Sequence, residues 1–314
     1  MNPKIEHVFV CPDCKIRLIK SQRCFKCPKC DYEYTIINKI PVIIKESSLD
    51  PFKKGESEFH TLIAKNADDA HALDSLRVKY LHDDFLNHIR SLPQSSTILD
   101  ACCGSGEDIL ALSKENYRVF GVDISYGMIE VTYNKLIKHG INPRLAVADV
   151  ENLPFKSDFF DVIYICGALH HTNPKKTLLE FKRCLKKEGI IVVGSEPNSW
   201  QYKFKSLKKS KLGMRIIKIF RNDYTVDKNS PGDEKTKGFS KEYFESISDE
   251  LDLEIISIKP IWFFNGFLSL LKLRPPKKIE KGFILIDKIL SKTPLINKYA
   301  WKWNLVLKLR SESE

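Results

Sequence analysis

Strand-like apolar runs alternate with amphipathic stretches across residues 93–198. TILDA leads into EDILALSKEN, and RVFGVD leads into SYGMIEVTYNKLIKHG, in which apolar positions recur at helical spacing. RLAVAD, FDVIYICGAL and GIIVVGSE are further apolar runs of strand length, and KKTLLEFKRCLK before the last of them is again helical. This alternation predicts an α/β domain, with a parallel sheet covered by helices on both faces and ligands at the carboxyl ends of the strands.

The flanking regions have different patterns. Residues 1–46 include DYEYTIINKIPVIIKE, which alternates like a strand, turns at NK and resumes as IPVII. Residues 47–92 begin with the polar run SSLDPFKKGESE, which we interpret as a linker, and continue over 71–92 with a pattern that predicts a helix packed on the next domain. In residues 199–314, LDLEIISI and KWNLVLKL predict the last two strands of the sheet.

Composition is typical of a folded chain, with 43% hydrophobic and 29% charged residues among 314. The charge is unevenly distributed. Residues 1–198 contain 27 Lys+Arg and 26 Asp+Glu, a net of +1, whereas residues 199–314 contain 24 and 14, a net of +10. We therefore expect an anionic partner to bind the last third.

No membrane-spanning or secretory segment is expected. The longest uncharged stretch near the C-terminus, PIWFFNGFLSLL, is shorter than the roughly 20 residues that cross a bilayer. The N-terminus lacks a secretory signal pattern, which predicts a cytoplasmic location. In that compartment the nine cysteines are expected to be thiols or metal ligands and not disulfides.

Two C-x-x-C turns, 12 residues apart, predict a structural zinc site held by Cys11, Cys14, Cys27 and Cys30. Four thiolates complete the tetrahedral shell of Zn²⁺ and leave no position open for chemistry. Cys24 is a surplus thiol that competes with Cys27 for a place in the ligand set. Residues 8–46 resemble a zinc-ribbon module that ends in Y-x-x-x-x-G-I-P-V-L, with Lys39 where that family usually has glycine, so a different turn is expected. Such modules activate tRNA and protein methyltransferases or precede methyltransferase domains.

The stretch ILDACCGSGEDILAL has the strand–turn–helix pattern of a nucleotide-binding loop, but its charges oppose a phosphate. Glu107 and Asp108 fall in the first helical turn, where their carboxylates repel a pyrophosphate. The third glycine of a dinucleotide fingerprint is replaced by Ile109, and no phosphate-binding P-loop motif is present. A ligand with an adenosine group and a cationic centre fits better, and S-adenosylmethionine is such a ligand.

Four motifs in order resemble those of class I S-adenosylmethionine-dependent methyltransferases: ILDACCGSG, GVDIS, ADVENLPF and FDVIYICGALHH. The resemblance implies a Rossmann-like sheet. It assigns cofactor binding to Asp100, Cys102, Gly104, Gly106, Asp123, Ile124, Asp149 and Val150.

The resemblance implies a different role for each group of these residues. Asp100 orients the loop and the methionine ammonium, Asp123 accepts both ribose hydroxyls, and Asp149 accepts the adenine amino group. The two glycines let the backbone approach the cofactor, Ile124 lies against the purine, and Val150 offers an amide. Cys102 stands where glycine or alanine is usual, which predicts a slightly narrower loop.

The sequence says less about the catalytic base and the acceptor than about the cofactor site. His170, His171 and Glu196 follow strands at the edge where the acceptor is expected, and each is a candidate general base. QYKFKSLKKSKLGMRIIKIFR interleaves eight basic residues with apolar ones, which suits an anionic membrane surface, a nucleic acid, or an ordinary solvated lid.

We favour a small-molecule, lipid-linked or glycolipid- or quinone-like acceptor, with peripheral binding to the inner face of the membrane. In this hypothesis Trp262 and Phe263 belong to the apolar surface. The alternatives are a ribosomal RNA base methyltransferase and a non-catalytic zinc-module adaptor, and the intact cofactor motifs argue against the adaptor.

Overall fold

The N-terminal segment forms a small antiparallel sheet. The structure, a computed structural model, describes residues 8–64, 76–202, 215, 230–270 and 276–310. The small sheet has the order β1-β2-β3-β4 and consists of β1 (Ile19–Lys20), β2 (Cys24–Lys26), β3 (Glu33–Ile37) and β4 (Ile40–Pro41). Asn38 and Lys39 in the β3–β4 turn have φ of 49° and 68°. Lys39 thus keeps the left-handed backbone that favours glycine there.

Two helices connect this sheet to the central domain: α1 (Pro51–Ala64) and α2 (Leu76–Arg90). The linker interpretation is wrong for residues 51–64. Among them only Glu56 and Ala64 are buried, and the first half of the helix, PFKKGESE, is a polar run with a glycine, whereas most of its large apolar residues follow in the second half. The predicted packing helix corresponds to α2, whereas residues 71–75 lie outside the described residues.

The central sheet confirms the predicted α/β architecture. Seven strands have the order β10-β11-β9-β8-β5-β6-β7, and β11 runs antiparallel to both of its neighbours. The first five strands are β5 (Thr97–Ala101), β6 (Arg118–Asp123), β7 (Leu145–Val147), β8 (Phe160–Cys166) and β9 (Leu185–Pro197). They alternate with α3 (Glu107–Lys114), α4 (Tyr126–Lys138) and α5 (Pro174–Cys184). Ser125 caps α4 by accepting a hydrogen bond from the amide of Met128.

The C-terminal third completes the sheet. Its elements are α6 (Pro231–Lys235), α7 (Lys241–Glu250), β10 (Leu253–Ile261), α8 (Phe264–Leu270), α9 (Lys277–Leu290) and β11 (Lys302–Leu309). The two predicted strands are therefore confirmed. The basic segment singled out in the sequence lies largely outside the described residues. Phe263 is buried, with 5% of its surface exposed, so its assignment to an exposed apolar surface is wrong.

The N-terminal sheet packs directly on the central domain. The rings of Phe9 and Phe155 lie 5.6 Å apart, and the amide of Val10 donates to the Pro154 carbonyl at 2.9 Å. The amide of Ile43 donates to the Val147 carbonyl at 2.8 Å, beside the edge strand β7. These contacts place the N-terminal residues against the segment that follows β7, and the apolar cluster is continuous between the two sheets.

Candidate functional site

The loop between β5 and α3 has an unusual backbone. Cys102, Gly104 and Gly106 all have positive φ, at 63°, 50° and 74°. A left-handed conformation is unfavourable for a residue with a side chain, which explains why the related motif usually has glycine at the position of Cys102. A Cβ on Gly106 would lie 2.3 Å from the Thr132 methyl group. The Thr132 hydroxyl in turn donates to the Gly104 carbonyl at 2.7 Å, which fixes the loop.

Asp123 ties this loop to the end of β6. Its carboxylate accepts hydrogen bonds from the amide of Gly104 at 3.0 Å and from that of Ser125 at 2.9 Å. Burial raises the pKa of Asp123, and these amides together with the charges of nearby histidines oppose the rise. The ribose-binding role of Asp123 stays a prediction, while its contacts give it a clear part in shaping the loop.

A cavity of about 460 Å³ opens beside the loop. Seven of the eight predicted cofactor residues line it: Asp100, Cys102, Gly104, Asp123, Ile124, Asp149 and Val150. Gly106 lies behind the loop against Thr132. The volume is within the range of small-molecule sites.

Carboxylates dominate one end of this cavity. Burial raises the pKa of Asp100 well above its usual value, and the charges of Asp108 and Asp123 add to the rise. Asp108 lies 2.8 Å from His82 Nδ1, and Glu107 forms an ion pair with Lys135 at 2.5 Å. These carboxyl groups offer acceptors that suit a cationic group better than a phosphate, and the preference for such a ligand stays a prediction.

Helix α1 covers the cavity with a polar face that the sequence analysis missed. Lys53 Nζ lies 2.7 Å from the Asp149 carboxylate. The Ser57 hydroxyl donates to the Ile124 carbonyl at 3.0 Å, and the hydroxyls of Thr61 and Ser125 share a hydrogen bond of 2.9 Å. The available signal was polar residues at i, i+3, i+4, i+7 and i+8: Lys53, Glu56, Ser57, His60 and Thr61.

The three candidate bases occupy different positions. Glu196 is fully buried, and its carboxylate accepts from the amides of Ala168, Leu169 and His170. His170 Nδ1 lies 2.9 Å from the same carboxylate. Neither Glu196 nor His170 lines the cavity, whereas His171 does. Burial alone lowers the pKa of His170, but the Glu196 charge and hydrogen bonds raise it overall.

Lys302, at the start of β11, is another lining residue that the sequence analysis missed. Burial lowers the pKa of this lysine, and the charge of Glu196 opposes the shift. Its sequence position, at the first residue of an apolar strand, carries no signal of a site.

The N-terminal cysteines form a separate cluster that fits a zinc ion. The sulfur atoms of Cys11, Cys14, Cys27 and Cys30 lie within 4.8 Å of one another. The Sγ atoms of Cys11 and Cys30 are 3.9 Å apart, close to the roughly 3.8 Å edge of a tetrahedron with Zn–S bonds of about 2.3 Å. Cys24 lies apart, with its Sγ 3.1 Å from the Ser21 hydroxyl.

Comparison with known proteins agrees with the motifs. Residues 98–189 match a family model described as a methyltransferase domain. The predicted resemblance is thus confirmed: this part of the chain is a domain of the class I S-adenosylmethionine-dependent methyltransferase type.

The curated relatives match only part of the chain. An uncharacterized protein of Methanocaldococcus jannaschii is 32% identical over 141 residues, which are 45% of this chain and 51% of that protein. A tRNA (carboxymethyluridine(34)-5-O)-methyltransferase of Arabidopsis thaliana is 33% identical over 109 residues, 33% of this chain and 25% of that protein. A demethylmenaquinone methyltransferase of Staphylococcus saprophyticus is 37% identical over 106 residues, 32% of this chain and 45% of that protein. The chain thus spans about half or less of these relatives.

Among solved structures, the cyclase SpnF is similar with a TM-score of 0.55 and 14% identity, over 84% of this chain and 98% of that one. The likeness supports the fold alone. Because that neighbour is titled a cyclase, the reaction must be argued from the site.

The first prediction concerns ligand choice. We expect calorimetry to detect binding of S-adenosylmethionine and S-adenosylhomocysteine and no binding of NAD. Asp123→Ala should weaken cofactor binding by about 1.5 to 3 kcal/mol, because hydrogen bonds to a charged acceptor are lost. Asp123→Asn should weaken it less, because the amide oxygen still accepts. Tight NAD binding without S-adenosylhomocysteine binding would overturn the class assignment.

The second prediction uses two glycines with matched backbones. Gly106→Ala and Gly140→Ala both place alanine in a left-handed conformation, at φ of 74° and 70°, which costs roughly 1 to 2 kcal/mol of folding stability. Nothing lies within 4 Å of a Cβ at Gly140, whereas one at Gly106 meets Thr132. Gly106→Ala should therefore also weaken cofactor binding, measured by calorimetry, and Gly140→Ala should leave it unchanged. Equal affinities in the two variants would contradict this.

The third prediction concerns the metal. Elemental analysis should find one zinc per chain in the wild type and none in Cys11→Ser/Cys14→Ser, with cofactor binding retained because Asp100 and Asp123 belong to the other sheet. Cys24→Ser is the matched control and should keep the metal. If Cys24→Ser loses zinc and Cys27→Ser keeps it, the ligand set is wrong.

Proposed function

We propose that the protein is an S-adenosylmethionine-dependent methyltransferase whose acceptor is a small apolar or lipid-linked molecule with a quinone-, phenol- or sugar-like head. The cavity itself is the observation that supports the assignment as an S-adenosylmethionine-dependent methyltransferase. It brings together the cofactor motifs from three strand ends, and its carboxyl groups Asp100, Asp108 and Asp123 offer oxygen acceptors to a cationic ligand group.

The cofactor supplies a methyl group on a positively charged sulfur, which needs no further activation. The chain positions the reactants. All of the following residues line the same cavity. Asp100 and Asp108 would hold the cationic end of the cofactor, Asp123 and Asp149 would hold its sugar and base, and His171 and Lys302 are left to contact the acceptor.

Helix α9 supports the lipid-linked acceptor because its amphipathicity is inverted. It buries Glu280 and Asp287, and it exposes a row of apolar residues. Asp287 accepts from the amide of Phe264, at the start of α8, at 2.7 Å and from the Asn265 side chain at 2.8 Å, so the acidic face is held inward. The exposed apolar residues of this surface are Ile279, Leu285, Ile286, Ile289 and, just beyond the helix, Leu295.

Lysines surround this apolar row, which matches an anionic bilayer surface. Those exposed on or just after α9 are Lys277, Lys278, Lys281, Lys288 and Lys292. The ammonium group of Lys288 lies 5.6 Å from the centre of the Tyr80 ring on α2, and the same helix contributes Val78 and His82 to the cavity. The apolar surface therefore lies one helix away from the cavity. In the described part of the chain, no helix is long and apolar enough to cross a membrane.

The demethylmenaquinone methyltransferase relative favours a quinone-like head, since that protein is named for such an acceptor. The tRNA methyltransferase relative and the excess of ten positive charges in residues 199–314 favour RNA as the second candidate. RNA binding rests on phosphate contacts and does not require an exposed aliphatic row, so we rank it below the lipid-linked acceptor.

The fourth prediction tests the membrane surface. We expect the protein to co-sediment with vesicles that contain anionic lipid. Leu285→Ser/Ile289→Ser should weaken that binding, because each inserted aliphatic side chain contributes about 1 to 3 kcal/mol. The matched control is Ile137→Ser on α4, beside the opposite edge of the sheet, where Ile137 is similarly exposed.

Methyl transfer is measured in parallel with radiolabelled S-adenosylmethionine and two substrate pools, a lipid extract and total RNA. Label in the lipid fraction is expected. Label in RNA, together with salt-sensitive RNA binding and no vesicle binding, would establish the second candidate instead.

A further inference from the structure

We infer that Glu56 on α1 is a positioning residue that holds His171 as the general base for methyl transfer. The inference rests on the proposed methyltransferase function and deepens it. It also assigns a part in the reaction to a helix that the sequence pattern presented as a linker.

The geometry joins three elements at one carboxylate. Glu56 is buried, with 4% of its surface exposed, yet it also lines the cavity. Its Oε2 lies 2.9 Å from His171 Nδ1 and 3.3 Å from His60 Nε2. Its Oε1 accepts a hydrogen bond from the amide of Gly232. The Ser230 hydroxyl lies 3.1 Å from His171 Nδ1 and supports the same ring nitrogen.

This arrangement determines which nitrogen of His171 is available. A carboxylate beside Nδ1 stabilises a proton there, which leaves Nε2 with its lone pair. Within the described part of the chain, Nε2 of His171 has no hydrogen-bond partner, and the residue lines the cavity. His170, in contrast, has Nδ1 against Glu196 and Nε2 3.7 Å from Asp233. Of the candidate bases, His171 alone combines access to the cavity with an unengaged nitrogen.

The contacts of Gly232 show that Glu56 and His171 are closely enclosed. A Cβ at that position would lie 2.3 Å from His171 Nδ1. The segment at the start of α6 therefore fits against the ring only as glycine, and its amide fixes the second oxygen of Glu56. Both partners are thus fixed in place by α1, α6 and the turn after β8.

In the proposed step a hydroxyl of the hydroquinone would give its proton to His171 Nε2, the neighbouring ring carbon would form a bond to the methyl carbon, and the carbon–sulfur bond would break with its electron pair left on sulfur. The ring carbon would then lose its own proton to solvent while the ring oxygen regains one, which restores the aromatic hydroquinone. The products are the methylated acceptor, S-adenosylhomocysteine and an imidazolium that Glu56 stabilises and solvent later deprotonates. The class of acceptor that requires such a base is a hydroxyl compound, such as a hydroquinone, whose neutral form is a weak nucleophile.

The first test needs no acceptor. With ¹⁵N-labelled histidine, long-range ¹H–¹⁵N spectra at pH 8 should show the His171 proton on Nδ1 and a bare Nε2 in the S-adenosylhomocysteine complex. Glu56→Gln should weaken this preference, because a neutral amide oxygen is a poorer acceptor than a carboxylate, and Glu56→Asp should keep more of it. A wild-type ring that carries its proton on Nε2 would overturn the inference, whatever the acceptor proves to be.

The second test is kinetic, with the reduced form of a short-chain demethylmenaquinone as the probe. His171→Gln should lower kcat at least about 100-fold and Glu56→Gln about 10- to 100-fold, with S-adenosylhomocysteine affinity retained. Glu56→Asp should recover part of the rate. The matched controls are Glu58→Gln, an exposed residue on the same helix, and His139→Gln, an exposed histidine at the end of α4.

The outcomes separate the two proposals. Unchanged kcat in Glu56→Gln with an active wild type would overturn the positioning role. A wild type that binds S-adenosylmethionine and does not methylate the hydroquinone would remove the quinone-like acceptor, and the tautomer measurement would still decide the role of Glu56.

Discussion

The buried carboxylate of Asp123 is the contact on which the site depends. It joins two backbone segments, the loop after β5 through Gly104 and the start of α4 through Ser125. The loop residues need this support because Cys102 and both glycines have left-handed backbones. A buried carboxylate without such donors would carry a large desolvation penalty, so the amides and the charge stabilise each other. The shape of the cofactor cavity depends on these hydrogen bonds between the two amides and Asp123.

Helix α1 illustrates a second consequence, because its position is determined by polar contacts. Lys53 meets Asp149, Ser57 meets the carbonyl of Ile124, and Glu56 meets His171. Buried polar groups are costly when unpaired, so a helix that completes these pairs is favoured over the cavity, and the packing of Ala64 against Met128 adds an apolar contact. The same contacts make the position of α1 specific for a site with this arrangement of charges.

These features explain what could be predicted from the sequence. The strands and the cofactor loop were predictable because apolar runs, glycine spacing and the order of the motifs are local signals. Helix α1 was missed because its first half is a polar run that contains Gly55, and because most of its contacts to the cavity are made by polar residues. The candidate bases lie at the predicted edge of the sheet, yet Glu196 turns inward to three amides of the turn that contains His170. Which of two adjacent histidines faces a cavity depends on tertiary contacts that spacing does not encode.

Acidic and basic side chains are segregated in this structure. Asp100, Asp108 and Asp123 gather carboxyl groups at the cavity, whereas the lysines around α9 make the outer surface cationic. If both were of one sign, the molecule would either repel a cationic cofactor or attract it to the wrong place. Helix α2 separates them, with His82 on the cavity side and Tyr80 against Lys288 on the other. For the proposed lipid-linked acceptor, this separation would let the body of the acceptor contact the outer surface while its reactive head enters the cavity beside the cofactor.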